Sequence, residues 1–176
     1  MASGRMLREV LALLLGATVV LGFIVPAAAD DALPKLAVPL GLKIISLQKR
    51  FGSKPEGITV YVLSDAGVAK AFQSEVDRTV GTMKLSKVLS GDTLPEEKPD
   101  VLFVGDRSRI DEVLRYTRNN KVLSMARNEK FAAQGVTLAV FQDAYGKLAV
   151  TMNMSGAALE GIEVNPATLK VAMGLK

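Results

Sequence analysis

Two short apolar runs restrict this chain more than anything else in it. ITVYVL (Ile58 to Leu63) and VLFVG (Val101 to Gly105) contain no charged residue and no clean polar alternation. Strands of that kind are buried on both faces, which is the habit of a parallel sheet covered by helices. Each run ends in small and acidic residues, Ser64-Asp65-Ala66-Gly67 in one case and Gly105-Asp106-Arg107-Ser108-Arg109 in the other. Inward-facing residues then return at helical spacing: Val68, Ala71, Phe72, Val76 and Val80 after the first, Ile110, Val113, Leu114 and the polar Thr117 after the second. The pattern predicts strand passing to helix twice.

The remaining segments extend this alternation. Leu36, Leu40, Ile44, Leu47 and Phe51 predict a helix from about Pro34 to Phe51, with Pro34 in its first turn and Gly52 as its stop. MKLSKVL (Met83 to Leu89) predicts an edge strand, KVLSMA (Lys121 to Ala126) a further strand, and NEKFAAQG a short helical turn that stops at Gly135. VTLAVFQ and KLAVTMN flank Asp143-Ala144-Tyr145-Gly146, which predicts a β-hairpin. In the closing stretch, Asn153 caps a short helix, Gly161 stops it, and Asn165-Pro166 starts a last turn with Leu169 and Val171 inward. The expected class is α/β: a mainly parallel sheet flanked by helices on both faces, with a C-terminal antiparallel hairpin.

The N-terminal residues read differently. Arg5 and Arg8 precede an apolar run from Val10 to Val25, and Pro26-Ala27-Ala28-Ala29 supplies a small-residue site before Asp30. Such a segment is expected to be a signal peptide over residues 1–29, cleaved after Ala29, leaving a single exported domain over residues 30–176. Beyond Ala29 the balance is about +3, because Arg5, Arg8 and Glu9 drop out of a total of 22 basic and 18 acidic residues. These charges are scattered, without a basic block or interleaved aromatics, so no nucleic-acid partner is expected.

Histidine and cysteine are absent from the sequence. That excludes disulfides, thiol chemistry, the common zinc sites and Ser-His-Asp or Cys-His catalysis. Neither strand-to-helix loop is a nucleotide fingerprint: SDAGVA has one glycine where G-x-G-x-x-G is needed, and there is no Gly-Lys-Ser/Thr loop. The expectation is therefore a non-enzymatic protein without a cofactor or metal. Ligands of open α/β sheets lie outside the carboxyl ends of strands. The candidate ligand-binding residues are accordingly Ser64, Asp65, Asp106, Arg107 and Ser108, which offer acceptors and backbone donors at helix starts. Their ordinary role in this setting is helix capping. The pairs Glu96-Glu97 and Asp111-Glu112 read as wetted surface, and Met125, Met152, Met154 and Met173 as adaptable core filling.

The last third carries a recognisable set of motifs. Val122-Leu123-Ser124, Phe131-Ala132-Ala133-Gln134-Gly135, the turn from Asp143 to Lys147, and the run from Asn153 through Ala157, Gly161-Ile162, Val164-Asn165 to Leu169-Lys170-Val171-Ala172 resemble the YfiR-like family of exported bacterial proteins. The resemblance extends more loosely to the leader, the first helix, the strand at Ile58 and VLFVGDRSR. It implies a small periplasmic α/β domain that regulates rather than catalyses. The best-known members repress a membrane-bound diguanylate cyclase through its periplasmic domain, and so control cyclic-di-GMP and biofilm formation. The implied partners are an inner-membrane sensor or diguanylate cyclase, and a second copy in a homodimer. The chain departs from its well-studied relatives in lacking their cysteines, in Phe51-Gly52-Ser53-Lys54-Pro55 where many have Trp-Pro, and in Gly135-Val136 where a glycine pair is usual. A module that binds a small solute between the Asp65 and Asp106 loops is the alternative reading.

Overall fold

Both apolar runs form strands at the centre of a seven-stranded sheet, in a computed structural model that describes residues 28–105 and 110–168. In chain order the elements are α1 (Ala28–Ser46), α2 (Lys49–Gly52), β1 (Ile58–Leu63), α3 (Ala66–Gln73), β2 (Thr79–Val80), β3 (Met83–Gly91), β4 (Val101–Val104), α4 (Ile110–Asn120), β5 (Leu123–Ala126), α5 (Glu129–Gln134), β6 (Leu138–Gln142), β7 (Leu148–Met152) and α6 (Met154–Leu159). The strand order is β2-β3-β1-β4-β5-β6-β7. The five strands from β3 to β6 pair in parallel, while β2 with β3 and β6 with β7 are antiparallel. The expected class, mostly parallel with a terminal hairpin, is the one observed.

Strand alternation divides the core. Val60 and Val62 of β1, Phe103 of β4, Met125 of β5 and Val140 of β6 join Val38, Leu42 and Ile45 of α1 and Val68 and Phe72 of α3 in one cluster. Tyr61, Leu63, Leu102, Val104 and Ala126 join Val113 and Leu114 of α4 and Phe131 of α5 in the other. Successive side chains of a strand point to opposite faces, so each central strand feeds both clusters. Phe72 and Phe103 meet edge to face with ring centroids 6.1 Å apart, a preferred aromatic geometry.

Several boundaries differ from expectation. The first helix begins at Ala28, runs through Pro34 and Pro39, and ends at Ser46, with Phe51 in the separate turn α2. Its buried residues are Pro34, Ala37, Val38, Gly41, Leu42, Ile44 and Ile45, whereas Leu36 is 53% exposed. This helix is apolar nearly all round, so spacing alone allowed more than one stripe. Packing chose the stripe: Gly41 lies directly against the end of the Met125 side chain, which a Cβ at this position would have to displace. α3 stops at Gln73 rather than carrying on to Val80, and Val80 instead forms β2 with Thr79. The backbone turns at Asp77, with φ of 66°. β3 extends to Gly91, and β2 covers its start only, at Met83 and Lys84.

Candidate functional site

The chain leaves β1 for β3 on one side and then returns to β4 on the other. The carboxyl ends of β1 and β4 therefore form the switch point at which open α/β sheets place ligands. β1 and β4 pair to their last residues, Leu63 against Val104. Gly105 N–H then donates to the Leu63 carbonyl at 2.8 Å. A Cβ at Gly105 would lie 2.5 Å from that carbonyl oxygen and 2.6 Å from Asp65 Cβ. Only glycine lets the chain leaving β4 press against the β1 loop this closely.

Ser64 sits in the left-handed region with φ of 53°, a conformation that costs a non-glycine residue energy. Two bonds hold it there. Its N–H donates to the Gly91 carbonyl at 2.9 Å, and its hydroxyl lies 3.1 Å from Asp92 Oδ1. Asp65 caps α3, its Oδ1 accepting from Val68 N–H at 3.0 Å. Its Oδ2 lies 3.2 Å from Arg127 Nε. Arg127 follows β5, so this ion pair reaches from β1 past the end of β4.

The structure thus brings Ser64 and Asp65 together with Arg127, which the sequence analysis did not select. Its signal was its position directly after a buried strand, the same rule that selected the other two loops. Asp106, Arg107 and Ser108 lie outside the described residues. Beside Arg127 an open groove of about 370 Å³ is lined by Leu33, Asn128, Lys130, Phe141 and Asp143, among others.

The opposite end of the sheet holds a feature the sequence analysis passed over. Glu160, the residue that ends α6, is fully buried. Its Oε1 accepts from the Thr117 hydroxyl at 2.7 Å. Its Oε2 accepts from Ser124 N–H at 2.8 Å and from the Thr137 hydroxyl at 2.6 Å. Thr137 N–H in turn donates to Ser124 Oγ at 2.9 Å. Thr117, Ser124 and Thr137 are themselves fully buried, on α4, on β5 and just before β6. One carboxylate therefore joins four segments and accepts from three buried donors, of which the Thr117 hydroxyl alone has a second acceptor within reach, the Leu114 carbonyl at 3.3 Å. Basic residues approach the same helix end at the main chain: Lys121 Nζ donates to the Leu159 carbonyl at 3.0 Å and Arg50 Nη1 to the Glu160 carbonyl at 3.5 Å. Cations are favoured at a helix C-terminus. The clue in the sequence was Thr117, a polar residue on the stripe expected to point inward.

The motifs behind the resemblance converge on this assembly. Asn153 caps α6 through Gly156 N–H at 2.7 Å, and its side-chain amide donates to the Ala132 carbonyl of α5 at 2.7 Å. Gly135 and Gly161 occupy left-handed turns with φ of 116° and 69°. Asn165 caps the final turn through Ala167 N–H and also donates to the Leu47 carbonyl. Leu169, Val171 and Met173 lie outside the described residues.

Comparison with known proteins agrees with this architecture. No curated protein matches the chain significantly. Among solved structures it is similar to a conserved domain protein from Vibrio cholerae O1 biovar eltor, at 15% identity and a TM-score of 0.52. The likeness covers 79% of this chain and 58% of that one, and at this identity it is a likeness of fold. The model of the YfiR/HmsC-like family matches residues 43–173, well over half of the sequence and including every motif from Val122 to Ala172. The chain belongs to the YfiR/HmsC-like family.

Proposed function

We propose that this protein is a periplasmic regulator that works by protein contact, binding and repressing an inner-membrane signalling protein such as a diguanylate cyclase and thereby controlling cyclic-di-GMP and biofilm formation. Family membership across residues 43–173 carries this reading. The leader, with Arg5 and Arg8 before the Val10 to Val25 run, supports export. The engagement of the two acids also favours a contact role: Asp65 is taken up by a helix cap and Arg127, and Glu160 by three buried donors. Repression of this kind requires only that the regulator prefer one of two partner states.

The test is deletion of the gene, with cyclic-di-GMP measured in the deletion strain and membrane proteins recovered on the tagged protein. A rise in the nucleotide and recovery of a membrane signalling protein are expected. An unchanged nucleotide level with no membrane protein recovered would sink the proposal. A second reading is a solute-binding module that uses Ser64, Asp65, Asp106, Arg107 and Ser108: Asp65 pairs with Arg127, and Arg127 lines an open groove of about 370 Å³, within the size of small-molecule sites. Solute binding that is lost in both Asp65→Ala and Asp106→Ala would favour it.

A further inference from the structure

A pocket at the amino end of the sheet takes no part in either reading above. It holds about 270 Å³ and is lined by Gln48, Lys49, Arg50, Gly161, Ile162 and Glu163. Its two walls meet only in the folded chain: one is the passage from α1 into α2, and the other is the stretch that follows α6. The Ser64 and Asp65 loop leaves the opposite end of β1, so this pocket is separate from the switch point.

The floor is fixed. Gln48 is 1% exposed, and both ends of its amide are held: Nε2 donates to Thr168 Oγ1 at 2.7 Å, and Oε1 accepts from Asn165 N–H at 3.3 Å. Ile162 is buried beside it, with its N–H donating to the Ala157 carbonyl at 2.8 Å. Just behind Gly161 stands Glu160, locked to Thr117, Ser124 and Thr137. A pocket with walls tied in this way costs little to order when a ligand enters.

The rim is basic. Lys49 and Arg50 face a single acid, Glu163, and among the described residues neither base pairs with it. The stem of Lys121 lies over Gly161 and adds positive charge beside the opening. Arg50 is held in place without being used up. Its guanidinium stands 5.5 Å from the centroid of the fully buried Phe51 ring, and of its five N–H donors only one on Nη1 is engaged, at 3.5 Å from the Glu160 carbonyl. That distance is at the long limit of a hydrogen bond. The fork is therefore positioned and largely unspent, which is the condition for gripping a planar or tetrahedral oxyanion.

We propose that this pocket binds a small free molecule through a phosphate or carboxylate group, with Arg50 as the fork and Lys49 as the second cation. The volume lies just under the roughly 300–1,000 Å³ of drug-sized sites, so the ligand is small. Two bases against one acid make it an anion. The inference is independent of the regulatory reading, because it concerns binding by the protein alone.

The test titrates the full chain with sodium phosphate and, separately, with sodium succinate, at an ionic strength held constant with chloride, and follows its backbone amides by nuclear magnetic resonance. Saturable shifts centred on Lys49, Arg50, Gly161 and Glu163 are expected, with Ser64 and Asp65 unmoved. The anion that saturates at the lower concentration identifies the group. Arg50→Gln should weaken binding about tenfold or more. Arg50→Lys keeps the charge and loses the fork, so it should weaken binding as well, whereas Glu163→Gln should tighten it. Shifts that rise without saturating for both anions would overturn the proposal, as would shifts centred away from this pocket. So would an Arg50→Lys variant that binds as tightly as the original chain, since that is the behaviour of loosely gathered counter-ions. If Arg50→Gln fails to fold, Arg50→Lys and Lys49→Gln decide.

Discussion

Asp65 and Glu160 sit at opposite ends of one sheet and are held in opposite ways. Asp65, beyond the carboxyl end of β1, is divided between a helix cap and a half-exposed arginine from another loop. Glu160, near the amino ends of β5 and β6, meets no solvent and is surrounded by donors from Thr117, Ser124 and Thr137. The first arrangement is local and shallow. The second joins segments far apart in sequence and depends on each of them. The difference places adjustable chemistry at the carboxyl end, where α/β sheets bind their ligands, and integrity of the fold at the amino end.

The largest expected effect comes from breaking the buried end. Glu160→Ala leaves the Thr137 hydroxyl and the Ser124 N–H without an acceptor and the Thr117 hydroxyl with only the Leu114 carbonyl at 3.3 Å, and a buried group that loses its acceptor costs about 1–3 kcal/mol. A total loss of about 3–5 kcal/mol is expected by urea unfolding. Glu160→Gln keeps one acceptor oxygen and should lose about half as much. If Ala and Gln prove equally mild, Glu160 is not the centre of this assembly.

Next comes the contact between the two loops. Gly105→Ala must displace the Leu63 carbonyl and the Asp65 loop, at about 1–3 kcal/mol. It should also shift the amide resonances of Ser64 and Asp65 and leave those of Ser124 and Thr137 unmoved, which nuclear magnetic resonance would show. Asp65→Ala removes a cap and one partner of a half-exposed ion pair, and about 1–2 kcal/mol is expected. A loss as large as that of Glu160→Ala would erase the distinction between the two ends.

The smallest effect concerns alkaline pH. Burial, and then the neighbouring Asp92 carboxylate, raise the Tyr61 phenol above its ordinary value; burial, and then Tyr61, raise that of Tyr116. Tyr61 also donates to the Thr93 carbonyl at 2.7 Å. A raised folded value means that the unfolded chain gives up its protons first. The contribution to stability is full below about pH 10 and is lost as the pH rises through the folded values. The thermal midpoint should therefore fall above about pH 10, and less steeply in Tyr116→Phe.

Much of this fold was legible locally. ITVYVL, VLFV and the hairpin around Asp143 to Lys147 were readable because a strand buried on both faces, or a strand pair closed by a glycine-containing turn, declares itself within a few residues. The Asn153 cap and the Gly135 and Gly161 stops were readable for the same reason. The buried face of α1 was not, because Leu36 and Ala37 are equally good apolar residues until Gly41 is set on Met125. β2 was hidden because two residues cannot show a period. Of the candidate ligand residues, Ser64 and Asp65 were found from their place after a strand. Arg127 was missed because its partnership with Asp65 exists only once β1, β4 and β5 lie side by side.

The sequence by itself determined the order of strands and helices apart from β2, the caps and glycine stops between them, the exclusion of histidine and cysteine chemistry, and the motifs of the YfiR/HmsC-like family. Those are properties of neighbours along the chain. Only the tertiary structure decided that Glu160 would be the acceptor for Thr117, Ser124 and Thr137, and that Asp65 would meet Arg127. Each depends on which segments are brought together, and a hydrogen bond has no meaning until its neighbours are in place.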